Sequence, residues 1–303
     1  MILKKITPQV YLFPYKDKNG AIRNIGVVKG KRGKVVLIDS GPDNFSVKKV
    51  LQILAKNNLS VVGIINTHSH ADHCWGNQYV VKKTNAKVYS SILESEVLIS
   101  PLIEPFCFFS GAFPIKELRS SFFESPGSSV DVYLSRKNQI IKIAGISFKI
   151  IGLPGHSFNH IGVIIDDVLF CGDSVYSREA MSKHKIPFHV NIENVKKTLK
   201  MLARLKCQVY IMSHSSPVNS LNDLIRFNLN YLKKIEDQII NILKKPTSTE
   251  NVIQQLSFIY GVNIKKPEDY YLFNTKAMAY LSYLYNYHKI KIIIKNNHLL
   301  WSI

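Results

Sequence analysis

The chain has 303 residues, 46% of them hydrophobic, and a mean hydropathy of zero, which fits one large globular domain with an appendage. It holds no run of the roughly 20 apolar residues that span a bilayer, which speaks against membrane insertion. Lys and Arg outnumber Asp and Glu by 40 to 21, a net charge of +19, yet the lysines are scattered, so the charge reads as a solvated basic surface rather than a binding stripe.

The N-terminal MILKKITPQVYLF has no apolar h-region, so a secretory signal finds no support and the cytosol is the expected compartment. Short β-branched runs follow: QVYLF, IGVV, KVVLID, VVGIIN and AKVYS, then QIIKI, ISFKII, IGVIID, VLFCG and QVYIM. Helical spacing of apolar residues appears between them at 44–57 and 192–206, so sheets flanked by helices are expected. Residues 99–128 interrupt this rhythm with prolines, glycines and repeated phenylalanines, and end in a helix-like KELRSSFF. Such an insertion reads as a lid over a pocket. The four cysteines form no CxxC pair and read as reduced thiols.

After Pro217 a helical pattern runs to about Lys245. Thr247 and Glu250 then have the spacing of a capping box ahead of a second helix, a third is expected from Pro267 to about His288, and KIKIIIK meets HLLWSI across Asn296 and Asn297 as a hairpin. This gives a division into residues 1–217 and a 218–303 module with a winged-helix-like outline. The last helix carries LFNTKAMAYLSYLYNYH, aromatic and poor in cations, which favours packing or homodimer formation over nucleic-acid reading.

The densest chemistry lies in THSHADHCWGN, where His68, His70, Asp72 and His73 follow an apolar strand in HxHxDH spacing. One histidine in an apolar setting is usually a satisfied core residue; four donors in six positions read as metal ligands. His156, Asp173 and His214 each follow a later strand, giving seven nitrogen and oxygen donors, enough for two cations sharing one carboxylate.

With these motifs the sequence resembles the metallo-β-lactamase superfamily over most of residues 1–217. The resemblance implies an α/β fold, a four-layer αββα sandwich, with one metal held by His68, His70 and His156, a second by Asp72, His73 and His214, and Asp173 between them. Asp39, before Ser40-Gly41, matches the family's first motif and would buttress the histidine loop; His160 fits its GHxxxH pattern as a structural partner. The last motif departs, reading Met212-Ser213-His214-Ser215 in place of Pro-Gly-His-Gly. Two divalent ions, most simply Zn2+ with Fe or Mn as alternatives, can hold a bridging hydroxide near neutral pH, and Asp72 would orient it and pass its proton to the leaving group. Tyr176 and Lys183 are candidate substrate contacts, each weighed against a satisfied core phenol and a solvated charge.

The expected function is hydrolysis of a small ester-like acyl substrate: a thioester, lactone or β-lactam. RNA phosphodiester cleavage is the alternative, favoured by charge and tail but lacking the large insertion of RNA-cleaving members. An iron-dependent sulfur dioxygenase is more remote, because the second-site histidines are present.

Overall fold

The computed structural model describes residues 3–16, 22–135 and 138–303. Its first sheet runs in sequence order: β1 (Lys4–Lys5), β2 (Val10–Lys16), β3 (Ile22–Lys29), β4 (Lys34–Ile38), β5 (Ser60–Ile65), β6 (Lys87–Ser91) and β7 (Val132–Leu134). The first four strands are antiparallel, and β4 to β7 are parallel. The second sheet contains β8 (Gln139–Ile143), β9 (Ile146–Gly152), β10 (Ile161–Ile165), β11 (Val168–Gly172) and β12 (Val209–Met212); it is antiparallel except for the β11–β12 pair.

Strand periodicity builds the layers. In β4, Val36 and Ile38 face the second sheet while Val35 and Leu37 face helix α1 (Asn44–Lys56). In β11, Val168 and Phe170 enter the same inter-sheet core, and Leu169 and Cys171 turn to the other side. Strands buried on both faces read as continuous apolar runs, which is why these segments were visible in the sequence. The short helices α2 (Ala71–Cys74), α3 (Asn77–Thr84), α4 (Ile92–Ile99) and α5 (Ile103–Phe108) follow. The outer face of the second sheet is covered by α7 (Ile192–Leu202), which comes after α6 (Arg178–His184). The result is four layers in the order α, β, β, α.

The tail closes the same core. Helices α8 (Asn222–Ile242), α9 (Thr249–Tyr260) and α10 (Pro267–Asn286) precede the hairpin of β13 (Lys291–Lys295) and β14 (His298–Ser302). Leu232, Ile235, Leu256, Tyr280, Leu284 and Trp301 share one buried cluster with Leu153, Leu169 and Val195 of the sandwich. No helix of the described residues is long and apolar enough to cross a membrane.

Two local expectations are corrected. KELRSSFF forms only a 3₁₀ turn at Lys116–Arg119, because Leu118 and Phe123 are both buried, whereas Phe122, which a helix would stack on Leu118, is 66% exposed. The capping residue of α9 is Ser248, whose hydroxyl accepts from Asn251 N; Thr247 is instead bridged through its backbone to Trp301. Helices α4 and α5 were not anticipated from the sequence.

Candidate metal centre

Strands β4 and β5 run parallel, as do β11 and β12, and the donors lie just beyond their carboxyl ends, where open α/β sheets place their ligands. His68 and His70 leave β5 in extended chain two residues apart, while Asp72 and His73 sit in the single turn of α2. His156 hangs on the loop after β9, whose Gly155 has φ +130; a Cβ there would lie 2.5 Å from Val195 N at the start of α7. Gly172, with φ +55, sets Asp173, and a Cβ on it would meet His160 Nε2 at 2.3 Å.

Three imidazole nitrogens converge. His70 Nδ1 lies 3.1 Å from His68 Nε2 and 3.0 Å from His156 Nε2. Their outer nitrogens are engaged: His156 Nδ1 with the Phe188 carbonyl at 3.0 Å, His68 Nδ1 with Thr67 Oγ1 at 3.0 Å, and His70 Nε2 facing Glu104 at 3.5 Å. Outer N–H groups leave three lone pairs aimed at one point, an arrangement that hydrogen bonding satisfies poorly and a cation satisfies well. Burial holds His68 and His156 well below the usual histidine range, with neighbouring imidazoles pushing the same way, and burial lowers His70 too, so this set stays neutral at pH 7.

The second set is ionic. His214 Nε2 lies 2.9 Å from Asp173 Oδ2 and 3.5 Å from Asp72 Oδ2; His73 Nε2 is 3.6 Å from Asp173 and 3.7 Å from Asp72. Burial pushes these imidazoles down, but the Asp173 and Asp72 carboxylates outweigh it and raise both above the ordinary value. Against the same burial penalty, His214 and His73 hold Asp173 well below the carboxylate range. Asp173 Oδ2 also lies 3.7 Å from His156 Nε2, so this carboxylate stands between the two sets. His73 Nε2 and Asp173 Oδ1 are buried with no hydrogen-bond partner among the described residues, as expected of atoms reserved for cations. Three groups of donor atoms that could each hold an ion result: His68, His70 and His156; His68, His73 and Asp173; Asp72, His73 and His214, with the atoms of each group within 4.8 Å of one another.

The supports are equally specific. Asp39, at φ +59, accepts from Thr67 N and Thr67 Oγ1 at 2.8 Å each and from His73 Nδ1 at 3.0 Å, fixing which His73 nitrogen faces the centre. His160 Nε2 accepts from Asp173 N at 3.0 Å, and its ring stacks on His68 at 4.8 Å. The His214 loop, which lacks the family's glycines, is held by Asn24, whose amide donates to the Met212 and Ser215 carbonyls at 2.8 and 2.7 Å. Tyr176 spends its hydroxyl on the backbone of Phe188, accepting from the N–H at 3.2 Å and donating to the carbonyl at 3.3 Å, so it braces the loop that orients His156 and is not a free substrate donor. Lys183 is exposed in the last turn of α6 and does not line the cavity beside His70.

Three functional neighbours escaped sequence reading. Arg23 Nε donates to Asp72 Oδ2 at 3.1 Å. Glu94, fully buried on α4, accepts from Ser69 N (3.0 Å), Ser69 Oγ (2.6 Å), Ser157 Oγ (2.7 Å) and Asn159 N (2.7 Å), tying the His68–His73 loop to the His156 loop. Glu104, on α5, is the third. The available signal was an acid inside an apolar stretch: Glu94, with Glu96 nearby, in ILESEVLI, and Glu104 alone in LIEPFCFF. A cavity of about 320 Å³ opens beside His70, between the 97–108 segment, the His156 loop, residues 188–190 and α10.

Known proteins match this architecture. A family model described as the metallo-beta-lactamase superfamily matches residues 19–214. A hydroxyacylglutathione hydrolase of Shewanella pealeana is 28% identical over 131 residues, covering 42% of this chain and 38% of that protein; one from Buchnera aphidicola is 26% identical over 208 residues, covering 69% and 65%. The chain thus spans less than half the length of the Shewanella relative. A metallo-beta-lactamase family protein from Thermus thermophilus superposes with a TM-score of 0.74 at 18% identity over 99% of this chain and 100% of its own, and a beta-lactamase domain protein from Burkholderia ambifaria with 0.75 at 15% over 99% and 94%. These two likenesses establish the fold, and the family match spans more than half the sequence. The chain belongs to the metallo-beta-lactamase superfamily.

Proposed function

We propose that this chain is a dinuclear metal-dependent hydrolase of a small ester-like acyl substrate. The observation that carries the reading is the convergence of seven donors into two sets on either side of Asp173. Zinc suits imidazole and carboxylate donors and is the ion proposed for both sets, with His68, His70 and His156 holding one and Asp72, His73 and His214 the other. When bound, the pair supplies Lewis acidity that lowers the pKa of water towards ~7 and neutralises charge on the attacked oxygen.

The chain's own residues do the rest. Asp72, aimed by Arg23 and 32% exposed at its side chain, accepts the proton of the attacking water and passes it to the leaving group. Water oxygen joins the acyl carbon as the bond to the leaving atom breaks. Asp39 and His160 hold His73 and Asp173 through this exchange, so the donor geometry does not relax. Residues 1–217 are proposed as the catalytic unit and 218–303 as the module that completes its pocket. The cavity, small and lined by no Lys or Arg among the described residues, supports a small molecule over RNA, because a polynucleotide needs a long cationic groove.

The test is turnover by the chain loaded with two equivalents of Zn2+. Hydrolysis of thioesters or lactones is expected, with single-stranded RNA left intact and His70→Ala lowering kcat/KM by roughly a hundredfold or more. RNA cleavage that His70→Ala abolishes, with no acyl turnover, overturns the assignment.

A further inference from the structure

The cavity beside His70 is walled by carbon from four separate parts of the chain: Phe108 of α5, Phe158 after His156, Phe188 and Val190 after α6, and Met278 and Ala279 of α10. The polar side chains that reach its surface are mostly committed elsewhere. Both Ser69 Oγ and Ser157 Oγ donate to Glu94, at 2.6 and 2.7 Å, and Thr275 Oγ1 donates to Tyr271 O at 3.2 Å. Glu104 turns its carboxyl towards His70, and Ser282 lies exposed at the rim. Of the 40 lysines and arginines in the sequence, none lines the cavity among the described residues. A carboxylate or phosphate buried deep among these walls, away from His70, would lose its water and find no Lys or Arg to replace it, which is unfavourable by several kcal/mol in general. An alkyl or phenyl group loses nothing and leaves water.

The position of Asp72 decides which end of the substrate enters. Asp72 belongs to the other donor set, 3.5 Å from His214, and delivers the proton to the leaving group. The leaving group therefore lies on that side and the acyl substituent lies over His70. We infer that the cavity takes an uncharged, apolar acyl chain or phenylacyl group, so that the substrates are esters or thioesters of apolar acids. This rests on the hydrolase reading above. At about 320 Å³ the cavity is near the small end of ligand pockets, which limits the group to a medium-length chain or a single ring.

The experiment uses the zinc-loaded chain and thioesters of one neutral thiol, N-acetylcysteamine, with acetyl, butyryl, hexanoyl and succinyl groups. From acetyl to hexanoyl, kcat/KM should rise about 3- to 4-fold per methylene, the factor that corresponds to about 0.8 kcal/mol per buried CH₂. Succinyl should fall at least roughly a hundredfold below hexanoyl, since its free carboxylate is left unpaired. Ala279→Phe, which fills the cavity, should reverse the series in favour of acetyl. A binding measurement needs no turnover: with five methionines in the sequence, 13C-methyl spectra should show hexanoate shifting Met278 while succinate does not. Equal rates across chain lengths, preference for succinyl, or a Met278 signal that ignores hexanoate would each overturn the inference. The two failures separate, because turnover without chain-length dependence sinks only the apolar cavity. A hexanoate-specific Met278 shift with no thioester or lactone turnover sinks only the hydrolase.

Discussion

Glu94 shows how much of this centre is decided by single side chains that ligate nothing. Its two carboxylate oxygens serve two backbone N–H groups and two hydroxyls from loops 88 residues apart at their candidate ligands, His68 and His156. In Glu94→Gln, whichever oxygen becomes an amide meets a backbone N–H, leaving two donors face to face. Stability should drop by about 1–3 kcal/mol in chemical denaturation. Zinc affinity measured by chelator competition should fall about 10- to 100-fold, whereas the exposed neighbour changed in Glu96→Gln should alter neither. Lys276 is the opposite case, a buried cation on α10. Burial outweighs the pull of Asp269 and lowers its ammonium from 10.5 to about 8. Below pH 8 both folded and unfolded chains are protonated and the folded one bears the full cost of a desolvated charge. Between about 8 and 10.5 the unfolded chain binds more protons, so the native protein gains stability as pH rises. Lys276→Met is expected to stabilise by on the order of 3 kcal/mol at pH 7, at about 1.36 kcal/mol per pH unit, and the advantage should fade towards pH 10.5. Denaturation midpoints of both proteins across pH 7 to 10 check it; an advantage that does not shrink with pH contradicts the sign.

At the scale of elements, the clearest sequence signals are those whose partners are close along the chain. The hairpin across Asn296 and Asn297 was legible because a two-residue turn needs positive φ at both positions, and they adopt +50 and +63. The HxHxDH segment was legible because one strand end and one helical turn place four donors together. The cap of α9 was misplaced by one residue, since the Thr247–Trp301 bridge is made by a strand 54 residues later in the sequence. That bridge also anchors the tail: Trp301 is 5% exposed, joins the large core cluster, and donates from Nε1 to Thr249 Oγ1 at 2.9 Å. Trp301→Ala should cost about 3–5 kcal/mol, read from urea unfolding of the whole chain. A cost below 1 kcal/mol would mean that the hairpin is docked loosely.

Across the whole molecule, two sheets packed through apolar faces bring the carboxyl ends of strands from both halves of the sequence to one edge. The tail is continuous with that body: the cluster beneath the second sheet includes side chains from β9, α7, α8, α9, α10 and β14. Through Thr275, Met278, Ala279 and Ser282, α10 also supplies a wall of the cavity beside His70. The net charge of +19 is not concentrated there, so it can steer an acidic partner without choosing what the cavity binds.

By itself the sequence determined the strand runs and the helix-flanked plan, and it singled out the seven candidate donors that the structure gathers at one edge, because apolar periodicity and motif spacing are local quantities. Only the tertiary structure decided that Glu94 ties two loops together, that Arg23 aims Asp72, that Tyr176 serves Phe188, and that a tail helix closes an apolar cavity. Each of these is a contact between residues a dozen or more positions apart, and such contacts follow from how the layers pack rather than from any stretch of chain read alone.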